Sequence, residues 1–369
     1  MENQVLEELQ AALEKELEKS LSEEVFSGCS LGFFDLANNR DFRKIIHLGT
    51  IDLSTNALTV ADNSCYDLAS LTKPLVTSLC VLALHQEKKL DINDTISSVF
   101  GELTDSKGSV TIFQLLNHTA GLPAHRPYYE KLFELPVEKR EGALLSQLFN
   151  ERLVNKPGQV TLYSDIGYML LGKIVEKVSR QSLDRYWRRK IIAPLGLEKE
   201  LFFGATTGLD TRLCVVTGKC EWSGKKLRGE VHDDNCRAMG GVAGHAGLFG
   251  TAGGVVSLCR YLLKMYHGRF SHPSVSTALF KESVDTLVGT RRCGFDIPTG
   301  RCSSSGHFFS PLTIGHLGFT GTSFWIDLAD CCGVVFLTNR VISGDDQVPI
   351  KKLRPVIHDI IVERIKNLR

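Results

Sequence analysis

The apolar positions of the chain predict strands near both ends and a mostly helical middle. In residues 1–10, Leu and Val recur at helical spacing among glutamates, which indicates an amphipathic helix. Two strands are predicted at 30–36 and 44–49, around a turn at Asn38 and Asn39. The segment 74–84 is apolar nearly all round, and such a segment is typical of a buried helix.

The rest of the chain also shows helices in the middle and strands towards the C-terminal end. Helices are predicted near 111–117, 143–152, 165–179, 182–192, 252–266 and 350–367, and strands near 294–297, 312–316, 322–328 and 333–338. The polar, glycine-rich stretch 198–247 shows little periodicity and predicts a long loop region. Strands at both ends favour an α/β (α+β) fold. We expect a discontinuous sheet domain, 1–86 with 246–369, and an inserted, mainly helical domain at 87–245.

Composition narrows the function classes. Of the 369 residues, 43% are hydrophobic and 23% charged, which is ordinary for a globular enzyme. Lys and Arg total 43 against 42 Asp and Glu, so no overall basic field exists to attract nucleic acid or an anionic membrane. The N-terminus lacks the features of a secretory signal, and the longest apolar stretch is too short to span a bilayer. These features predict a cytoplasmic protein without a membrane partner.

The eleven cysteines are expected to be reduced thiols, because no export signal accompanies them. Cys214 and Cys220 lack the spacing of zinc ligands. The sequence therefore predicts no metal site, and nothing in it calls for a cofactor. A nucleotide- or NAD-binding role, suggested by the glycines at 240–253, is disfavoured because no β-α-β unit surrounds them.

The candidate chemistry begins at Ser70 and Lys73. A serine three residues ahead of a lysine at a helix start places both side chains on one face, where the amine could take the hydroxyl proton. The same Ser-x-x-Lys spacing recurs at Ser223, but there it lies in a polar turn that no helix follows. The first copy precedes the buried helix, so Ser70 is the candidate nucleophile.

Two further motifs follow in order. Tyr163-Ser164-Asp165 precedes a helix, and His316-Leu317-Gly318-Phe319 precedes a strand. With these three motifs in this order, the chain resembles the class C β-lactamase family, and within it the esterase and D-peptidase relatives. The resemblance extends from about Gly28 to the C-terminus. It implies an antiparallel sheet flanked by helices, of the β-lactamase/transpeptidase type, with the site in an interdomain cleft.

The resemblance also implies roles. Ser70 would form an acyl-enzyme, while Lys73, Tyr163 and His316 share the proton transfers, and the sequence leaves open which is the base. The backbone N–H groups of Ser70 and Phe319 would form an oxyanion hole, and Gly318 would let a substrate approach the strand closely.

Two positions depart from the family pattern. His316 stands where a lysine is common, so a permanent ammonium for a substrate carboxylate is lost, and Arg340 is a candidate to compensate. Asp165 stands where asparagine is usual; it removes two N–H donors. It would either keep Lys73 protonated or act only as the N-cap of the helix at 166–179.

The sequence thus predicts a serine hydrolase acting on an ester or small amide, with a small-molecule or short-peptide substrate. A D-amino-acid peptidase or muropeptide hydrolase, or a weak β-lactamase, is the enzymatic alternative. A catalytically silent protein that uses the same cleft for binding is the alternative from another class. The oligomeric state is left open.

Overall fold

The structure is a computed structural model that describes residues 2–101, 106–204, 210–220, 223–300, 303–344 and 346–367. Its helices are α1 (Glu2–Ser22), α2 (Leu79–Gln86), α3 (Ile96–Phe100), α4 (Ile112–Leu116), α5 (Tyr129–Phe133), α6 (Val137–Asn150), α7 (Asp165–Ser179), α8 (Leu183–Trp187), α9 (Asp234–Ala238), α10 (Ala252–Tyr266), α11 (Thr277–Asp285) and α12 (Val348–Asn367). Its strands are β1 (Gly28–Asp35), β2 (Phe42–Gly49), β3 (Tyr66–Asp67), β4 (Leu201–Phe203), β5 (Val216–Lys219), β6 (Lys226–Arg228), β7 (Leu248–Gly250), β8 (Arg291–Arg292), β9 (Phe295–Asp296), β10 (Thr313–Leu317), β11 (Ser323–Asp327) and β12 (Cys332–Thr338).

The main sheet joins the two ends of the chain. Its seven strands are antiparallel to their neighbours and lie in the order β2-β1-β12-β11-β10-β9-β8. The register pairs Phe33 of β1 with Val334 of β12 on one side and with Lys44 of β2 on the other. The predicted antiparallel sheet, built from strands near both ends and flanked by helices, is confirmed.

Helices cover both faces of this sheet, which is why its central strands are apolar on both sides. Every residue of β1 and of β12 is buried. On one face, α1 and α12 pack on the sheet through residues such as Leu13 and Ile361. On the other, α10 packs on the sheet, and its core continues into the helical region around α2 and α7.

The buried helix predicted at 74–84 connects the sheet region with the helical region. It begins as a π-helical turn, Lys73–Ser78, and continues as α2. The side chains of both segments are buried from Lys73 through Leu84. This helix is apolar on every face because other parts of the protein pack against it on every side. The polar residues at its N-terminal end lie at a cleft, which is described below.

The prediction for 198–247 was wrong. That stretch contains β4, β5, β6 and α9, and β4 joins β3 and β7 in a small sheet. These elements have three to five residues each, too few to show a period. Within the stretch, residues 205–209 and 221–222 lie outside the described residues.

Several other helices differ from the predictions. Helices α3 and α5 were not predicted, and the helix predicted at 182–192 is α8 followed by a π-helical turn, Arg188–Ile192. Helix α6 begins at Val137 rather than near 143, because its first two turns are polar and only Leu144 and Leu148 are buried. Helix α11 was not predicted, and its buried residues are only Phe280 and Val284. The domain boundaries at 86/87 and 245/246 stay a prediction.

Candidate active site

Ser70 follows a strained turn between β3 and the buried helix. Ala69 has a φ of +47°, a left-handed conformation that costs about 1–2 kcal/mol for a residue with a Cβ. The Asp67 carboxylate holds this turn by accepting hydrogen bonds from the N–H groups of Ala69 at 2.9 Å and His232 at 2.8 Å. Burial raises the pKa of Asp67 to about 6, although those two N–H groups lower it. The turn presents the partly exposed Ser70 to a cleft.

Lys73 lies one helical turn beyond Ser70 and is fully buried. Its Nζ donates to Ser70 Oγ at 2.9 Å and to the His245 carbonyl at 3.1 Å. The same Nζ lies 2.7 Å from Asp165 Oδ1. A lysine ammonium has three N–H donors, and these three acceptors match them.

The charge state of Lys73 follows from these contacts. Burial lowers the pKa of Lys73, but the negative charge of Asp165, together with Tyr163, outweighs burial and raises it overall. Lys73 is therefore a cation at neutral pH. A lowered lysine pKa, which would have made Lys73 the general base, is not what this site produces.

Asp165 is the first residue of α7 and not its cap. The cap is Ser164, whose Oγ accepts a hydrogen bond from the Gly167 N–H at 3.1 Å. The interpretation of Asp165 as a mere N-cap was wrong, because its carboxylate turns towards Lys73 and, at 3.5 Å, His125. Burial disfavours its charge, yet Lys73 and His125 hold the pKa of Asp165 well below its usual range.

Tyr163 lies among cations. The Lys73 ammonium is 4.8 Å from the centroid of its ring, and the Arg291 guanidinium is 5.2 Å from it. The Tyr163 and His316 rings lie 5.9 Å apart, centroid to centroid. The structure therefore brings together all three residues that the sequence offered for proton transfer.

His118 positions Tyr163. Its ring centroid lies 4.7 Å from that of Tyr163. Its carbonyl accepts a hydrogen bond from the Leu162 N–H at 2.9 Å, and its Nδ1 accepts one from the Ser164 N–H at 3.0 Å. The backbone is thus fixed on both sides of Tyr163.

His316 is a neutral, buried acceptor. Its Nδ1 lies 2.8 Å from the Leu317 carbonyl, so Nδ1 carries the hydrogen and Nε2 keeps a lone pair. Nε2 is buried and has no hydrogen-bond partner among the described residues. Burial, reinforced by Arg291 and Lys73, holds the pKa of His316 well below its usual value.

Two backbone N–H groups remain available beside Ser70. Within the described ranges, neither the Ser70 N–H nor the Phe319 N–H has a hydrogen-bond acceptor. The Thr320 hydroxyl donates to the Asp67 carbonyl at 2.7 Å, which ties the turn after β10 to the backbone just before Ser70. This pair of free donors fits an oxyanion hole.

Gly318 is required by internal packing. A Cβ placed there would lie 2.0 Å from Thr322 Oγ1 and 2.9 Å from the Leu68 carbonyl oxygen. The sequence predicted that this glycine admits substrate. The atoms that a Cβ would meet belong instead to Thr322 and to Leu68, which precedes Ser70. The absence of a side chain at Gly318 therefore lets the end of β10 approach the turn that carries Ser70.

The cleft has a volume of about 520 Å³, and its lining includes every predicted site residue except Lys73, which lies beneath Ser70. A larger groove of about 990 Å³ lies beside α7 and α8, but it contains none of those residues. Cavity size alone would therefore have selected a groove that holds none of the predicted residues.

Sequence reasoning missed two arginines of the cleft wall, and a third arginine makes contacts that it did not predict. Arg291 was not considered, Arg354 of α12 was not considered, and Arg340 was expected to bind a substrate carboxylate. Instead, Arg340 donates to the Phe319 carbonyl from Nε at 2.9 Å and from Nη2 at 2.7 Å. No local pattern marks these residues, because each reaches the site from a different element.

Comparison with known proteins shows which family the chain belongs to. The Beta-lactamase family model matches residues 43–354. The chain belongs to the β-lactamase family. A putative D-alanyl-D-alanine carboxypeptidase of Escherichia coli O157:H7 is 33% identical over 304 residues, covering 74% of this chain and 69% of that protein.

Two solved structures share the fold. One is EstCE1, a hydrolase with promiscuous acyltransferase activity, with a TM-score of 0.72, 20% identity, and coverage of 94% of this chain and 98% of that one. The other is a class C β-lactamase with a TM-score of 0.74, 14% identity, and coverage of 98% and 97%. The resemblance predicted from the three motifs is confirmed, and the chain is a serine hydrolase of this family.

Two other features are absent from the described residues. No helix there has the length and apolarity that a membrane span requires. No group of three or more His, Cys, Asp or Glu side chains there could hold a metal ion.

Proposed function

We propose that this protein hydrolyses an ester or small amide through an acyl-enzyme on Ser70. The observation that carries the proposal is the contact of the Lys73 ammonium with Ser70 Oγ at 2.9 Å, beside two free backbone N–H donors. A nucleophile next to a buried cation and an oxyanion site is what acyl transfer requires.

In the proposed reaction, Tyr163 reacts as the phenolate: Ser70 Oγ attacks the substrate carbonyl carbon while the phenolate oxygen accepts the hydroxyl proton and becomes a phenol. The negative oxygen forms at the N–H groups of Ser70 and Phe319. When the bond to the leaving group breaks, Tyr163 passes the proton to the leaving oxygen or nitrogen. Water then attacks the acyl ester by the same route, which releases the acid and restores the serine hydroxyl.

Lys73 acts in this scheme as a cation and not as the base. Lys73 and Arg291 both lie close to the Tyr163 ring, and their positive charges stabilise negative charge on its oxygen. The neutral His316 offers its free Nε2 lone pair as a further acceptor beside Tyr163. These contacts support Tyr163 as the proton carrier.

The surroundings favour an ester over an extended peptide. A peptide lying along β10 would need backbone groups of the strand as hydrogen-bond partners. The Phe319 carbonyl already accepts from Arg340, and the Asp165 carboxylate offers no N–H donor and is held by Lys73. An ester needs neither group.

Substrate choice is tested with a panel of uncharged p-nitrophenyl acyl esters and N-acyl-D-alanyl-D-alanine peptides. We expect ester turnover by the wild type and by Ser223→Ala, which alters the second Ser-x-x-Lys sequence, and none by Ser70→Ala. Ester turnover that survives in Ser70→Ala would refute the proposal.

A D-amino-acid peptidase is the second candidate, and Arg291 favours it. Arg291 is a largely buried cation in the cleft wall, paired with Asp296, and it could bind the carboxylate of a short peptide or muropeptide. The name of the Escherichia coli relative points the same way. In that case Arg291→Met would lower kcat/KM for both substrates through the contact with Tyr163, and about 100-fold further for the acyl-D-alanyl-D-alanine peptide than for the neutral ester. Arg140→Met, outside the cleft, is the control. A weak β-lactamase activity and a cytoplasmic location stay predictions.

A further inference from the structure

The carbonyl group of Gly318 lies against a buried arginine. Arg354, on α12, is 4% exposed. Its Nη2 donates to the Gly318 carbonyl at 3.1 Å and to the Thr322 carbonyl at 2.9 Å. The Gly321 N–H also donates to the Gly318 carbonyl, at 3.1 Å, and closes the turn after β10. The Gly318 carbonyl therefore accepts one neutral and one charged hydrogen bond.

The same peptide unit carries the Phe319 N–H. No cis peptide occurs in the described residues, so the Gly318 C=O and the Phe319 N–H point in opposite directions. Because the Gly318 carbonyl accepts from Arg354, the Phe319 N–H points away from that guanidinium, and Phe319 lines the same cleft as Ser70. A cation at the carbonyl end of a peptide also polarises that peptide and strengthens its N–H as a donor.

Arg340 holds the following peptide unit. Its guanidinium donates twice to the Phe319 carbonyl and lies 4.5 Å from the centroid of the Phe319 ring. Burial and the nearby Arg340 lower the pKa of Arg354 to about 9, which still leaves Arg354 a cation at neutral pH. Arg354 therefore holds the Gly318 carbonyl, and Arg340 holds the Phe319 carbonyl. These are the two carbonyl groups next to the Phe319 N–H along the chain.

We propose that Arg354 is a positioning residue for the oxyanion hole: its guanidinium holds the Gly318 carbonyl so that the Phe319 N–H points at the substrate oxygen. The inference rests on the proposed acyl transfer at Ser70. Arg354 acts through the peptide unit and does not touch the substrate, so its effect extends to substrates without a carboxylate.

The test compares an uncharged p-nitrophenyl ester with the matching thionoester, whose sulfur accepts hydrogen bonds weakly. Losing one oxyanion donor costs about 100- to 1000-fold in kcat, and a donor that is only misaligned costs less. We expect Arg354→Met to lower kcat/KM for the oxygen ester about 10- to 100-fold and for the thionoester less than about 3-fold. Arg354→Lys, which keeps a cation, should recover part of the ester rate.

The matched control is Arg140→Met. Arg140 likewise donates to two backbone carbonyls, those of Leu135 at 3.0 Å and Ala238 at 3.1 Å, but it lies outside the cleft. For Arg140→Met, the ratio of kcat/KM for the oxygen ester to kcat/KM for the thionoester should equal that of the wild type. Should Arg354→Met fail to fold, the ratio is measured in Arg354→Gln and Arg354→Lys.

An equal loss on both substrates, or no loss, would overturn the positioning role. A folded wild type that turns over neither ester would instead refute the proposed function itself, which is a different result.

Discussion

The ion pair between Asp165 and Lys73 can be tested by the substitution Asp165→Asn. The Nζ–Oδ1 distance of 2.7 Å corresponds to a gross attraction on the order of 6 kcal/mol at an effective dielectric constant of about 20. Removing one partner of a buried pair costs about 3–5 kcal/mol net. Because the Asp165 side chain is 20% exposed, we expect about 3 kcal/mol.

The pH dependence of this loss has a definite sign. In the wild type the pKa of Lys73 is raised and that of Asp165 is lowered, so the pair contributes fully between about pH 4 and pH 10. In Asp165→Asn, the main influence that raises the pKa of Lys73 is lost and only Tyr163 still opposes burial, so we expect the pKa of Lys73 in the folded protein to fall. The folded variant then gains stability as the pH rises and Lys73 loses its proton.

Thermal unfolding measured from pH 6 to pH 9.5 tests this reasoning. We expect the Tm of Asp165→Asn to lie about 4–8 °C below that of the wild type at pH 6, and the gap to narrow as the pH rises. The control is Asp52→Asn, which removes a carboxylate paired with Lys226 at 2.8 Å and Arg228 at 3.1 Å, outside the cleft. Both of those cations lie nearer the surface than Lys73, so the difference in Tm between Asp52→Asn and the wild type should stay constant over this pH range. A constant gap for Asp165→Asn as well would refute the assignment of Lys73 as a buried cation held by Asp165.

Three further results are expected. Tyr163→Phe should lower ester kcat at least about 100-fold, because it removes the proton carrier and keeps the ring between Lys73 and Arg291; a loss of only a few-fold would move that role to another residue. Gly318→Ala should lower both Tm and kcat, because its Cβ would lie 2.0 Å from Thr322 Oγ1; unchanged kinetics would show that the turn can relax. His118→Ala should lower kcat through the backbone around Tyr163, visible as a loss of kcat with little change in KM; a change in KM alone would indicate substrate contact.

Local signals predicted the strongest elements well. Helices α7 and α10 have the predicted bounds, because each begins at a side-chain cap, Ser164 or Thr251, and continues with a regular apolar face. The stretch 198–247 was misassigned because its short strands are stabilised by partners far away in the chain. Strand β4, for example, pairs with β7, whose first residue is Leu248.

The residues of the site likewise include some that local motifs reveal and others that only the folded chain brings together. Ser70, Tyr163 and His316 could be found because each lies in a short motif next to a recognisable helix or strand, and the motifs occur in a known order. The sequence offered a protonated Lys73, held by Asp165, as one of two alternatives but could not decide between them, because the charge depends on three acceptors that come from separate parts of the chain. Arg354 could not be predicted either, since only the folded turn brings the Gly318 carbonyl to α12.

The central claim is that Ser70 becomes acylated. The most direct measurement is the intact mass of the protein after mixing with p-nitrophenyl acyl esters and, separately, with a fluorescent penicillin. We predict that wild type and Ser223→Ala gain the mass of one acyl group from the ester, and that Ser70→Ala gains none. A folded wild type without an adduct and without ester turnover, or an adduct that persists in Ser70→Ala, would contradict the account; the first result would favour a silent binding protein that uses the same cleft.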